Sequence, residues 1–435
     1  METERTLSEK FPQSRQRAEV MLFIARLYES RGESRRALEA YRRVRAEFAG
    51  GREADEARWS TGWINYRSGR FTEAYGALKG LYISAPRRAE GDKYLYWAAR
   101  SAGNLGNGQE ASSLYGKVCS EYPRGFYCML SKGRAGLKAE SGIKDGERAS
   151  RPPRGPQLRR EASEAAGVSM ASSPYTGDKG ASAPDTHYLA AVELLTLGMN
   201  KEAAVELKAL DGKYPDEREY LIEVAKLFER AGDYYRALRI SRRCSPSGPG
   251  DETAYKELTG ISYPIAVVGE VMEHQAPEAR VDPKLVASIM REESEFNPEA
   301  VSRTGALGLM QITPATGETI ASALMGVEKG AAFDPRGLLT PSTSIRFGSW
   351  YLGQLSRKFK GDLILTIAAY NAGPAAASRW AGTRPPEDDE FIESIPYSET
   401  RLYVKKVLSS YGEYLRLSGM DRGPLKGRAD GTEGP

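Results

Sequence analysis

Histidine and cysteine are nearly missing from this chain of 435 residues, which has two histidines, His187 and His274, and three cysteines, Cys119, Cys128 and Cys244. Neither CxxC nor HExxH spacing occurs, so no metal site is expected. An odd number of cysteines excludes a fully paired disulfide framework. Cys119 and Cys128 could pair, but both fall in helical pattern, and buried free thiols are the expectation. No GxxxxGK[ST] and no well-placed GxGxxG appears, so nucleotide chemistry has no support and no cofactor is expected. No run of some 18 apolar residues exists to span a membrane. The opening METERTLSEKFPQSRQRAEV also lacks the apolar core of a secretory signal. Net charge is small too. Lys and Arg exceed Asp and Glu by 62 to 58, a net charge of +4 that suits an anionic partner without requiring one. No nucleic-acid partner is expected.

What the chain does have is length and repetition. Its size implies two or three domains. A glycine is followed five residues later by an alanine at Gly32 and Ala37, Gly69 and Ala74, Gly106 and Ala111, Gly198 and Ala203, and Gly232 and Ala237. Such a glycine takes the left-handed conformation that ends one helix, and the small alanine lets the next helix approach closely. Apolar residues precede each turn at helical spacing, as in LIEVAKLFERAG. The expectation is an all-α chain with helical hairpins over 15–140 and again over 187–245. Between them, 141–186 is rich in Pro, Gly, Ser, Ala and Arg and poor in large apolar residues, the composition of a disordered linker. The tail 418–435 reads the same way.

The stretch MREESEFNP places Glu292, Glu293 and Glu295 within four positions. The helix that carries it starts at VDPKL, with Asp282 as N-cap and Pro283 at the first helical position. Val286, Ile289 and Met290 then occupy the i, i+3 and i+4 positions of one face, and Glu293 is the i+7 residue of that face. Glu292 falls at the edge of the stripe and Glu295 nearly opposite, so both are expected in solvent. A carboxyl turned into apolar surroundings is held neutral and can donate a proton. The same position also suits a buried acid paired with an arginine such as Arg303, Arg346 or Arg401. The loop that follows, with Gly305 and Gly308, reaches Met310 and Gln311 before a new helix at Thr313-Pro314. Glycines so spaced let backbone approach a ligand or another piece of chain.

The stretch ESEFNPEAVSRTGALGLMQ resembles the signature of the soluble, goose-lysozyme-like lytic murein transglycosylases. AAYNAGP (368–374) and FIESIPYSETRLYV (391–404) resemble that family's later motifs, in order. WINYRSGRFTEAYGALKGLYISAP resembles a tetratricopeptide repeat, and the hairpins resemble more loosely the superhelical arm of the large soluble members. The resemblance implies a lysozyme-like α-helical domain over 261–417. It also implies non-hydrolytic cleavage of the bond between N-acetylmuramic acid and N-acetylglucosamine, with Glu293 as single general acid and base. By the same likeness Ser294, Met310, Gln311, Tyr370, Asn371 and Glu399 would bind or orient substrate. Tyr370 is expected to hydrogen-bond Glu293, and Glu399 serves equally as a helix-start acid. Glu393 is read as structural. Ser344, in PSTSIRFG, stands where the family commonly has asparagine, which bears on a helix start more than on chemistry. Hydrolysis by a muramidase with Glu399 as second carboxylate, and a non-catalytic wall-binding scaffold, remain as other readings. Peptidoglycan is the implied partner, and the repeats leave room for a protein partner. Family members act in the periplasm or cell envelope, so the expected export signal would lie upstream or be replaced by another route.

Overall fold

The computed structural model describes residues 14–48, 51–84, 90–134, 185–210, 218–244, 252–325, 333–420, 423 and 425. The linker expected at 141–186 lies outside them apart from 185 and 186, and most of the expected tail lies outside as well. Among the described residues there is no strand, and the sole β-pairing is two isolated bridges, Val301 with Leu307 and Leu307 with Ile312. Contacts divide the chain into two compact units, Met1–Ser141 and Gly142–Pro435.

The first unit is built from hairpins: α1 (Arg15–Ser30) with α2 (Ser34–Glu47), α3 (Arg52–Arg67) with α4 (Phe71–Ser84), α5 (Gly91–Asn104) with α6 (Gly108–Glu121), then α7 (Phe126–Arg134). The turns repeat in atomic detail. Gly32, Gly69 and Gly106 have φ of 74°, 72° and 78°. The amide one residue beyond each glycine donates back to a carbonyl five residues earlier, as Glu33 N does to Tyr28 O and Arg70 N to Asn65 O. This is the Schellman closure that satisfies the last carbonyls of a helix. The paired alanines Ala37, Ala74 and Ala111 are all buried where the second helix meets the first. α5 is buried on most of its faces, with Tyr96 and Trp97 completely enclosed.

The cysteines correct the expectation of free thiols. The turn Tyr122–Gly125 reverses the chain between α6 and α7, bringing the Cα atoms of Cys119 and Cys128 to 4.7 Å, and the two form a disulfide. Helical pattern on both sides conceals such a bridge, because the reversal that creates it lies in the short turn between. Cys244 is free and buried.

The second unit opens with two more hairpins, α8 (Thr186–Thr196) with α9 (Asn200–Lys208) and α10 (Arg218–Arg230) with α11 (Tyr234–Arg243). Gly198 and Gly232 repeat the left-handed turn at 74° and 78°. The core of these hairpins, around Leu207, Phe228 and Ala237, continues into Leu258 and Ile261 of α12 (Glu252–Ser262). After α13 (Ile265–His274) come α14 (Pro283–Ser294), α15 (Pro314–Met325), α16 (Pro341–Lys358), α17 (Leu363–Ala372), α18 (Pro374–Ala381), α19 (Asp388–Ser394) and α20 (Ser398–Leu417). α14 is the hub, packing against α13, α16 and the long α20. Its start follows the sequence: Asp282 Oδ1 accepts from Lys284 N at 2.9 Å, with Pro283 in the first turn. Its end comes at Ser294, because Glu295 and Phe296 turn left-handed.

Candidate active site

Val286, Ile289 and Met290 fill the inner face of α14 and are buried, so the next turn carries Glu293 into the same apolar environment. Its carboxyl is partly enclosed, and Oε1 accepts a hydrogen bond from the Tyr403 hydroxyl at 2.6 Å. No cation bonds it among the described residues, so pairing with Arg303, Arg346 or Arg401 does not occur there. Arg401 instead donates to Ile395 O and lies 3.9 Å from Glu393. Burial pushes the Glu293 pKa from 4.5 to about 7; the Tyr403 bond opposes this, and the charges of Glu292 and Glu399 add to it. The carboxyl is thus poised to give and to take a proton near neutrality. Tyr403 and Tyr370 are pushed well above the ordinary phenol range by burial first and then by the Glu293 charge, so both stay neutral donors.

Glu292 corrects the expectation of a solvated acid. Its side chain is 9% exposed and is held by Arg291 at 2.6 Å and by the Ser410 hydroxyl at 2.6 Å. The edge of the α14 stripe is covered by α20, a neighbour that the local pattern of α14 cannot reveal. Glu295 stays at the surface, ion-paired with Arg242.

The loop after α14 is shaped by backbone. Gly308 has φ 73°, and a Cβ there would lie 2.0 Å from Leu338 O. The close approach predicted for these glycines is therefore to the chain itself at Gly308, whereas Gly305 has open space around it and serves as a turn. Gln311 adopts φ 47°, and its amide nitrogen donates to Ala300 O and Gly308 O at 3.1 and 2.9 Å. Ser294 is buried and donates to Met290 O and Leu309 O, tying the helix end to the loop. Met310 does not line a groove through its side chain: it is fully enclosed, and it fills the space a Cβ would need at Gly348. Its amide donates to Ser344 Oγ at 3.1 Å. Ser344 thus joins α16 to the loop, and α16 starts normally from Thr340 and Pro341.

Tyr370 lies beside the carboxyl but does not bond it. Its hydroxyl donates instead to Met310 O at 2.8 Å. Asn371 Oδ1 accepts from Thr400 Oγ1 at 2.6 Å, which joins α17 to α20. Glu399 stands exposed in the first turn of α20, close enough for its charge to act on Glu293 while complementing the helix dipole. Glu393 is structural, buried against Lys405 at 2.6 Å. Tyr403, the one hydrogen-bond partner of the Glu293 carboxyl among the described residues, escaped the sequence reading. Its signal was present: it follows Glu399 by four residues, so the two share a helix face. Among the described residues, no group of His, Cys, Asp and Glu is placed to hold a metal ion.

Comparison with known proteins joins this geometry to a family. Residues 270–391 match the family model described as Transglycosylase SLT domain. The soluble lytic murein transglycosylase of Salmonella typhimurium is 43% identical over 134 residues, which are 30% of this chain and 20% of that protein. Its Escherichia coli K12 counterpart is 41% identical over 140 residues, 32% of this chain and 21% of that protein. The match spans about a fifth of the length of these curated relatives. The structure of the lytic transglycosylase Slt from Pseudomonas aeruginosa, solved as an inactive Glu-to-Gln mutant, aligns with a TM-score of 0.63 at 25% identity, covering 93% of this chain and 59% of that one. The helix that carries Glu293 and the loop that supports it therefore lie within the segment that matches the transglycosylase SLT domain.

Proposed function

We propose that the protein is a peptidoglycan lytic transglycosylase that cleaves the β-1,4 bond between N-acetylmuramic acid and N-acetylglucosamine without water. The observation that carries this reading is one carboxyl, Glu293, held near pKa 7 by burial, facing a neutral phenol and bonded to no described cation. Tyr403 donates to Oε1, so the acidic proton sits on Oε2. That proton passes to the glycosidic oxygen as the C1–O bond breaks and the N-acetylglucosamine hydroxyl leaves. Positive charge at C1 is carried as an oxocarbenium-like state or by the substrate's own acetamido group. Glu293, now a carboxylate supported by Tyr403, removes the proton from the C6 hydroxyl. O6 closes on C1, giving a 1,6-anhydromuramoyl end and a carboxyl restored to its starting state. No atom of water enters, and one group serves both proton transfers.

Gln311 through Oε1, Asn371 through Nδ2 and the Glu399 carboxylate are proposed to meet the glycan, the other amide atoms of Gln311 and Asn371 being held within the protein. Ser294, Met310 and Tyr370 are proposed to act from behind, because their polar atoms are spent on fixing the loop. The substrate lies outside the cytoplasm, and the Cys119–Cys128 disulfide supports a periplasmic or cell-envelope setting, where such bonds persist.

The test is digestion of purified peptidoglycan followed by mass spectrometry of the fragments. New 1,6-anhydromuramoyl ends that disappear in Glu293→Gln are expected. Reducing ends, heavier by one water, would replace this reading with hydrolysis. No cleavage by folded protein would leave a wall-binding scaffold.

A further inference from the structure

Directly after α14, Glu295 and Phe296 adopt φ of 55° and 65°, two consecutive left-handed residues that carry side chains. Such a pair persists where its surroundings hold it. The holding groups come from α11, outside the 270–391 family match. The Tyr234 ring meets Phe296 edge to face at 6.3 Å, and Phe296 is 3% exposed. The Tyr234 hydroxyl donates to Glu270 Oε1 at 2.9 Å, so α13 fixes the ring from its other end. Two turns further along α11, Arg242 ion-pairs with Glu295.

We infer that α11 is a clamp on the end of the Glu293 helix, with Tyr234 and Arg242 as positioning residues that hold Glu295 and Phe296 left-handed and so aim the Glu293 carboxyl. The inference rests on the proposed acid–base role of Glu293. It extends the working part of the site into the last helical hairpin, which thereby acts as a component of the site as well as a packing element. Neither residue touches Glu293. Their effect passes through the two residues between.

Arg242→Ala removes a surface ion pair and leaves the fold intact. It is expected to lower kcat by about three- to tenfold with KM little changed, the pattern of a misaimed catalytic group. Tyr234→Ala is expected to lose more, while Tyr234→Phe, which keeps the ring, recovers most of the activity. Glu295→Gly supplies a residue that adopts the left-handed conformation unaided. In that background Arg242→Ala is expected to have no further effect. A second readout is independent of turnover: carboxyl-carbon NMR of Glu293, whose midpoint near 7 should fall toward 4.5 in Arg242→Ala as the enclosure loosens. An unchanged kcat and midpoint in both Arg242→Ala and Tyr234→Ala overturns the clamp, as does an undiminished Arg242→Ala effect in the Glu295→Gly background. If the wild-type protein makes no anhydro ends, the transglycosylase reading fails, and the NMR midpoint still decides the clamp.

Discussion

The hairpin turns and the loop beside Glu293 solve the same backbone problem in opposite ways. In all five hairpins the left-handed position is a glycine, and no neighbour lies within 4 Å of where its Cβ would be. Around Glu293 the left-handed positions include Glu295, Phe296 and Gln311; of the two glycines between them, Gly305 is open like the hairpin glycines, whereas Gly308 is jammed against Leu338. The hairpins minimise strain and repeat. The loop accepts strain and is held by specific partners: Tyr234, Arg242, Ser294 and Ser344. Strain of this kind collects where side chains must be aimed, and surrounding structure stabilises it.

Substitutions can break that contrast. The largest effect is expected from Glu293→Gln, which removes both proton transfers and should lower the rate of wall cleavage by about 10²–10⁴-fold, measured as release of soluble fragments. Gly308→Ala comes next. Its Cβ would overlap a backbone carbonyl, and a loss of about 3 kcal/mol or more in urea unfolding is expected. Glu293→Gln should also stabilise the protein in a pH-dependent manner. The folded pKa is raised above 4.5 to about 7, so the native state pays for ionisation progressively across that window, and the cost is complete above it. Thermal unfolding should show the variant more stable than wild type by roughly 3 kcal/mol at pH 8, with no gain at pH 4.

Smaller effects sharpen the picture. Tyr403→Phe deletes the one hydrogen bond that lowers the Glu293 pKa, so the alkaline limb of the pH–rate profile should move to higher pH. An unmoved limb would separate Tyr403 from control of the carboxyl. Gly69→Ala should cost about 1 kcal/mol from its left-handed turn alone and leave kcat unchanged, because nothing crowds the site of the new methyl.

Much of this was legible in the sequence, for reasons particular to each element. The five glycine–alanine pairs report a local hydrogen-bonded closure, so spacing alone reveals them. The inward turn of Glu293 follows from the periodicity of one helix and the N-cap at Asp282, whereas its reading as the acid rests on the family resemblance of the stretch around it. What escaped depends on distant chain. Tyr403 reaches Glu293 across 110 residues, and Glu292 is enclosed by Ser410 and Arg291 through the packing of α20 on α14. Tyr370 donates to the Met310 carbonyl, a partner 60 residues away on the loop, which helix periodicity does not carry.

The central claim is that one carboxyl transfers both protons and no water enters the product. Digestion of peptidoglycan in water enriched in ¹⁸O, with mass analysis of the new muramoyl ends, tests it most directly. The account predicts anhydro ends without ¹⁸O. One ¹⁸O atom at C1 of each new end would contradict it and assign the bond cleavage to hydrolysis.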